Sequence, residues 1–135
     1  MAIKQIISTA AFVVGLAVTV VAQDLQKALT AVELEQYRTA IAELSPLAKQ
    51  GNAEAQYHFG SIYFFGRGVP YSFEDDNSAK QADYWYKLAF KKFMKQAEKG
   101  EVEAQYYVGN MYLKGWGVEK DYDTAIKWLT RSARK

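Results

Sequence analysis

The sequence predicts an all-α protein, a short α-α solenoid, on three observations. A 22-residue stretch occurs twice, apolar residues recur at helical spacing, and no run alternates polar and apolar as a strand would. Ala48 to Val69 reads AKQGNAEAQYHFGSIYFFGRGV, and Ala97 to Val118 reads AEKGEVEAQYYVGNMYLKGWGV. At a constant offset of 49 residues, 11 of these 22 positions are identical. Self-similarity at a fixed period marks a repeat architecture, in which each helical unit buries its apolar face only by stacking on the next.

In chain order, Asp24 to Ala31 reads as a short leading helix, with Leu25, Ala28 and Leu29 on one face. Val32 to Gln50 reads as the next, through Leu34, Tyr37, Ala40, Ile41, Leu44 and Leu47. Pro46 predicts a kink or break there, because proline cannot donate back to Ala42. Gly51 supplies the left-handed residue that ends many helices. Asn52 caps a helix over Ala53 to Phe65, in which Gly60 permits close approach of a neighbour. A mid-helix glycine costs about 1 kcal/mol against alanine, so its recurrence at Gly109 points to packing. Gly66 to Pro70 is a turn, and Tyr71 to Asn77 is a loop with the acidic run Glu74-Asp75-Asp76. Ser78 caps a long helix to Lys99, with Ala82, Trp85, Tyr86, Ala89, Phe93 and Ala97 on one side and Lys80, Lys87, Lys91, Lys95 and Lys99 on the other. Gly100 stops it. Val102 to Lys114 and Gly115 to Val118 repeat the glycine-bearing helix and its turn, and Tyr122 to Ala133 forms the last helix. That last helix matches Tyr37 to Ala48 at 6 of 12 positions. With A for the glycine-bearing type, the order is a leading helix, then B, A, B, A, B.

The first 22 residues read as a secretory signal peptide, with Lys4 in a short basic region, an apolar Ile6 to Val21, and small residues before a predicted cut after Ala22. The alternative is an uncleaved anchor, which Ser8, Thr9, Gly15 and Thr19 interrupt. The predicted location is therefore periplasmic or secreted, with the membrane involved only through the signal peptide. The domain proper is residues 23–135, with capping helices over 24–50 and repeat copies at about 48–96 and 97–135. There is no cysteine, so packing alone must stabilise the fold, and no thiolate is available as metal ligand or nucleophile. A net charge of +2 gives no basic excess of the kind nucleic-acid binding needs.

A helix with Ala-x-x-x-aromatic-Gly-x-x-Tyr, then Gly-x-Gly-Val, then a helix with Ala-x-x-Trp-Tyr-x-x-Ala, resembles the Sel-one-like repeat, a relative of the tetratricopeptide repeat. In the first copy Ala55, Gly60, Tyr63, Gly66, Gly68 and Val69 match, followed by Ala82, Trp85, Tyr86 and Ala89. In the second copy Ala104, Gly109, Tyr112, Gly115, Gly117, Val118, Asp121, Ala125, Trp128 and Ala133 match. Phe59 and Val108 stand where the family usually has leucine. The resemblance covers about Tyr37 to Lys135 and implies a right-handed solenoid of about two and a half repeats with adaptor or regulatory roles. The family period is roughly 36 residues, against 49 here. The excess divides into 6 residues of loop before Ala82 and 7 between Trp85 and Gly100. Seven residues make about two helical turns, which predicts one lengthened B helix.

The glycine turns lack the strand-turn-helix setting and Lys-Ser/Thr of a phosphate-binding loop. His58, the only histidine, lies three residues before Ser61 without an orienting carboxylate or oxyanion hole in view. The acidic run lacks the spacing of a calcium loop. No catalytic residue, metal or cofactor is expected. Positions where the copies differ are freed from stacking and become candidates for recognition: His58 with Tyr107, Ser61 with Asn110, Phe64 with Leu113, Phe65 with Lys114, and Arg67 with Trp116. The candidate protein-binding set is His58, Ser61, Phe64, Arg67, Tyr107, Asn110 and Trp116. The expectation is a non-enzymatic interaction scaffold that binds another protein, not nucleic acid, on its A-helix face. The resemblance also implies two alternatives, a periplasmic immunity protein that neutralises a secreted effector and, with less support, a cell-wall or β-lactam-binding enzyme.

Overall fold

The computed structural model describes residues 2–69 and 77–134, with side chains from residue 15 onward. Six helices follow one another: α1 (Ala2–Glu33), α2 (Tyr37–Lys49), α3 (Ala53–Phe64), α4 (Asn77–Glu98), α5 (Val102–Lys114) and α6 (Tyr122–Ala133). No strand occurs among the described residues. The extensive helix–helix contacts join α1 to α2, α2 to α3 and so on to α6, so each helix packs on its sequence neighbours. That is the one-dimensional order of a solenoid. The acidic run Glu74-Asp75-Asp76 and most of its loop lie outside the described residues.

Capping follows the sequence at two helix starts. Asn52 Oδ1 accepts from the Ala55 N–H at 2.8 Å. Asp121 accepts from the Thr124 N–H at 3.1 Å and from its hydroxyl at 2.7 Å. Between B and A helices, the buried Gln56 and Gln105 donate to the Ala48 and Ala97 carbonyls at 3.0 and 3.2 Å. Each bond ties the start of an A helix to the end of the preceding B helix.

Four local expectations need correction. The leading helix over Asp24 to Ala31 is the end of the much longer α1. Val32 to Gln50 is not one helix. The chain turns at Leu34 to Gln36, where Glu35 adopts φ 57°, and Leu34 is 62% exposed. The spacing of Leu34 and Tyr37 imitates helical periodicity across a turn. Pro46 does not break α2, which runs on to Lys49. Proline forfeits only the bond its own nitrogen would make to Ala42, and the helix still closes through Gln50 N–H to Pro46 O at 3.0 Å. Ser78 is not a cap, because α4 already begins at Asn77 and contains it.

The turn after α1 reveals a further relationship. Gln36 N–H donates to Ala31 O, Arg67 N–H to Ile62 O, and Trp116 N–H to Met111 O, each across five residues. Ala31, Ile62 and Met111 are all buried, as are Ala28, Phe59 and Val108 three positions before them. Asn52 N–H closes α2 on the buried Leu47 in the same way, so this signature marks helix ends in general. It is the alternation of packing, α1 on α2 as α3 on α4 and α5 on α6, that puts the end of α1 in the A position of a third A–B pair. Leu29 and Glu35 occupy the places of Gly60 and Gly66, which removes the signature from the sequence.

The lengthened B helix is one uninterrupted α4 of 22 residues, against 13 for α2 and 12 for α6. It meets its two neighbours in different registers, reconciled at Tyr86. A Cβ on Gly60 would lie 3.0 Å from the Tyr86 ring, as one on Gly109 would lie 2.6 Å from Leu129. A Cβ on Gly117 would lie 2.5 Å from the Tyr86 carbonyl oxygen, as one on Gly68 would lie 2.6 Å from Tyr37 Cβ. Tyr37 and Tyr122 precede their partners Leu44 and Leu129 by seven residues. In α4, Tyr86 takes the tyrosine's role toward α5 and the leucine's role toward α3. Phe93 and Ala79 then fall one heptad to either side. A heptad is nearly two whole turns, so the apolar stripe of Ala82, Tyr86, Ala89, Phe93 and Ala97 stays on one face.

These contacts rank the glycines. Gly117→Ala combines a backbone clash with a residue at φ 71°, and is expected to cost about 3 kcal/mol or more. Gly109→Ala is expected to cost roughly 1–3 kcal/mol from overpacking. Gly60→Ala should cost least, because the contact is longer and alanine restores about 1 kcal/mol of helix propensity. Thermal or urea unfolding checks the order, and Gly60→Ala as the most damaging of the three would refute it.

Candidate functional site

The C-terminal ends of α3 and α5 and their glycine turns meet in an aromatic ledge. Its floor is Trp116, only 8% exposed. The indole stacks on Tyr86 with centroids 4.8 Å apart and planes 9° from parallel. The Tyr86 hydroxyl donates to Ser61 Oγ at 3.0 Å, and Ser61 donates to the Tyr57 carbonyl at 3.1 Å. The ring thus reaches across α3 while its edge meets Tyr57.

On this floor stand Phe64 and Phe65, 53% and 51% exposed. Their rings meet edge to face at 5.0 Å and lie 5.4 and 6.0 Å from Trp116. Two cations flank them. The Arg67 guanidinium lies 5.0 Å from the Phe65 ring centre and 5.5 Å from that of Tyr37, and its Nη1 donates to the Tyr37 hydroxyl at 3.0 Å. Lys114 Nζ sits 4.3 Å from the Trp116 ring centre. Among the described residues, ion pairs join Lys27 to Glu43 and Lys87 to Asp83, and neither Arg67 nor Lys114 takes part in one.

The candidate residues divide accordingly. Phe64, Arg67 and Trp116 come together in the ledge. Trp116, named because the copies differ there, is itself buried, with Tyr86 stacked on its indole. Ser61 has its hydroxyl committed to Tyr57 and Tyr86. His58 and Tyr107 gather around Tyr57, at 5.4 and 4.9 Å. Burial pushes the His58 pKa down to about 4, which keeps the imidazole neutral at pH 7. Tyr107 stacks on Phe93 at 4.4 Å and donates to Glu54 Oε1 at 2.9 Å. Burial raises the Glu54 carboxyl above its ordinary range, and the bond from Tyr107 opposes that rise. Asn110 turns back to the Tyr106 carbonyl at 3.1 Å. No group of three His, Cys, Asp or Glu side chains suited to a metal occurs among the described residues.

The duplicated architecture can be set beside known proteins. The family model of the Sel1 repeat matches residues 53–92 and 102–135, more than half of the chain. The chain belongs to the Sel1 repeat family. The matched segments hold α3 with most of α4, and α5 with α6, so both sides of the ledge are built from Sel1 repeats. The crystal structure of a Sel1 repeat protein from Oxalobacter formigenes is 35% identical over 71% of this chain, with a TM-score of 0.43. The match spans 24% of that protein's length. No curated protein matches the chain. Sel1 repeats mediate protein–protein interaction, and the family is typically a non-enzymatic scaffold.

Phe65 and Lys114 are among the positions at which the Sel1 copies differ, but the seven-residue candidate set omits them in favour of Phe64 and Arg67. It also missed Tyr86 as the support beneath Trp116, because the contact joins helices whose register is fixed only by folding. The two roles separate by mutation. Trp116→Ala should destabilise the fold by about 3–5 kcal/mol, the usual range for a buried aromatic. Phe64→Ala should cost about 1 kcal/mol, as for a surface site. Chemical denaturation of both variants checks this, and equal losses would mean that Phe64 belongs to the core.

Proposed function

We propose that this chain is a non-enzymatic adaptor of the bacterial envelope that binds a partner protein through the Phe64–Phe65–Arg67–Lys114 ledge. One observation carries the reading: two adjacent phenylalanines remain half exposed on a rigid, buried tryptophan floor. Exposed aromatics on a preorganised base, with an arginine beside them, have the composition of interface hot spots. Leaving them in water costs the isolated protein roughly 25 cal/mol per Å² of apolar surface, recovered when a partner covers them. The ledge also lies where the two repeats differ in sequence, so its residues can serve recognition without disturbing the stack.

Site-specific photo-crosslinking in bacterial cells tests the surface. A photoreactive residue at position 64 in the full chain should give one adduct of discrete mass, and the same residue at position 95 on α4 should not. Phe65→Ala with Arg67→Ala should reduce the adduct at least ten-fold. An adduct of equal yield at both positions, or one indifferent to the double substitution, would reject the ledge.

The envelope location rests on the amino-terminal sequence, and α1 supports it in one respect. Among its described side chains, the buried ones are Ala28 and Ala31, both beyond Ala22. A cut after Ala22 would spare them and leave the A-position segment of α1 in place. Mass spectrometry of the product in a periplasmic fraction should find a chain that begins at Gln23. A product that retains Met1 and partitions with membranes would overturn this location.

A further inference from the structure

We infer that the ledge takes an acidic protein segment, one that sets a large apolar side chain between carboxylates. This rests on the reading of the ledge as the binding surface and adds the chemistry of what it binds. The apolar requirement comes from Phe64 and Phe65, half exposed, whose ring contacts among the described residues are with each other, Trp116, Tyr86 and Arg67. The acidic requirement comes from an imbalance of donors and acceptors.

Backbone carbonyls at a helix C-terminus would ordinarily present acceptors and partial negative charge. Here several of them are occupied. Ser61 O accepts from Phe65, Tyr63 O from Gly66, Ile62 O from Arg67, and Met111 O from both Gly115 and Trp116. The donors, in contrast, are in surplus. A guanidinium has five N–H groups, and the one described hydrogen bond of the Arg67 side chain is from Nη1 to Tyr37. Its plane is held against two rings, so the order needed to pair with a carboxylate is already present. Lys114, held over Trp116, forms no ion pair with any described residue. Rings beside two cations that form no ion pair among the described residues call for carboxylates flanking an apolar group. Nucleic acid would also offer rings and negative charge, but a chain of net charge +2 lacks the basic field such binding draws on.

The test uses the full chain and four fluorescein-labelled probes, followed by polarisation in low salt. The first is an eight-residue peptide, Gly-Asp-Asp-Phe-Leu-Asp-Asp-Gly. The second replaces its aspartates by lysine, the third replaces Phe-Leu by Ala-Ala, and the fourth is a ten-nucleotide oligothymidylate. The first should bind saturably and at least ten-fold tighter than each of the others. Arg67→Gln combined with Lys114→Gln should weaken it about ten-fold, one hydrogen-bonded charge being worth that much, without lowering the melting temperature. Phe64→Ala with Phe65→Ala should abolish binding.

A lysine peptide that binds as well as the acidic one would overturn the inference, as would indifference to the charge substitutions or tighter binding of the oligonucleotide. So would an absence of binding by the acidic peptide. If the phenylalanine variant still loses binding or the position-64 crosslink while the charge variant does not, the ledge remains the docking surface and only the acidic chemistry fails. If neither variant has any effect, the surface itself is wrong.

Discussion

The structure depends on the seating of one ring and its backbone between two glycines. Tyr86 lies 2% exposed against Gly60 on one side and presents its own carbonyl to Gly117 on the other. Through that double contact the two Sel1 repeats share a single residue. Its ring carries Trp116 and its hydroxyl holds Ser61, so the helix stack and the ledge have a common support. A Cβ at Gly117 would drive the α4 backbone away from α5, whereas one at Gly60 asks the Tyr86 ring to give by only a few tenths of an ångström. Dense packing makes the first shift the costly one.

The buried core divides around this support. Ala28, Ala31, Ala40, Leu44, Leu47 and Phe59 form a cluster on the side of α1 and α2. Tyr86, Phe93, Val108, Met111, Trp116 and Trp128 form another on the side of α5 and α6. Both hold five alanines, which let the helices approach closely; the first adds Leu44, Leu47 and Ile62, with Phe59 meeting Trp85 edge to face at 5.2 Å. The second is built from rings, whose edge-to-face and stacked contacts each add about 0.5–1.5 kcal/mol beyond area burial. The exposed phenylalanines are the outer margin of that aromatic cluster. The exposed ledge and the core thus draw on the same residue type, separated only by where the helix ends.

Much of this was legible in the sequence because the chain contains its own replicate. Gly60 with Gly109 and the two Gly-x-Gly-Val turns identified the stacking, and the seven-residue excess identified a lengthened helix. What failed did so for local reasons. The α1–α2 turn uses Glu35 in a left-handed conformation where the other copies use glycine, so the third A helix carries no motif. Leu34 kept helical phase by coincidence across that turn. For the ledge, difference between copies named Phe64 and Arg67, which the structure brings together on one surface. It could not separate Trp116, which faces inward, from Phe65, which faces out, because that distinction is set by Tyr86 on another helix. Exposure is a tertiary property, and a position's variability reports only that stacking does not fix it.

The heptad inserted into α4 has a consequence for how such chains diversify. An insertion of a near-integral number of turns leaves both neighbours seated while it adds outward-facing positions, here in the span after Trp85 that carries Lys87, Lys91 and Lys95, all exposed. An insertion of five residues would rotate the stripe by about 140° and strip the core from one side. B-helix length is therefore quantised, with sevens tolerated and intermediate lengths filtered out. Repeat number and outer surface can then drift independently, the first by duplication at the glycine turns and the second by lengthening a helix in place.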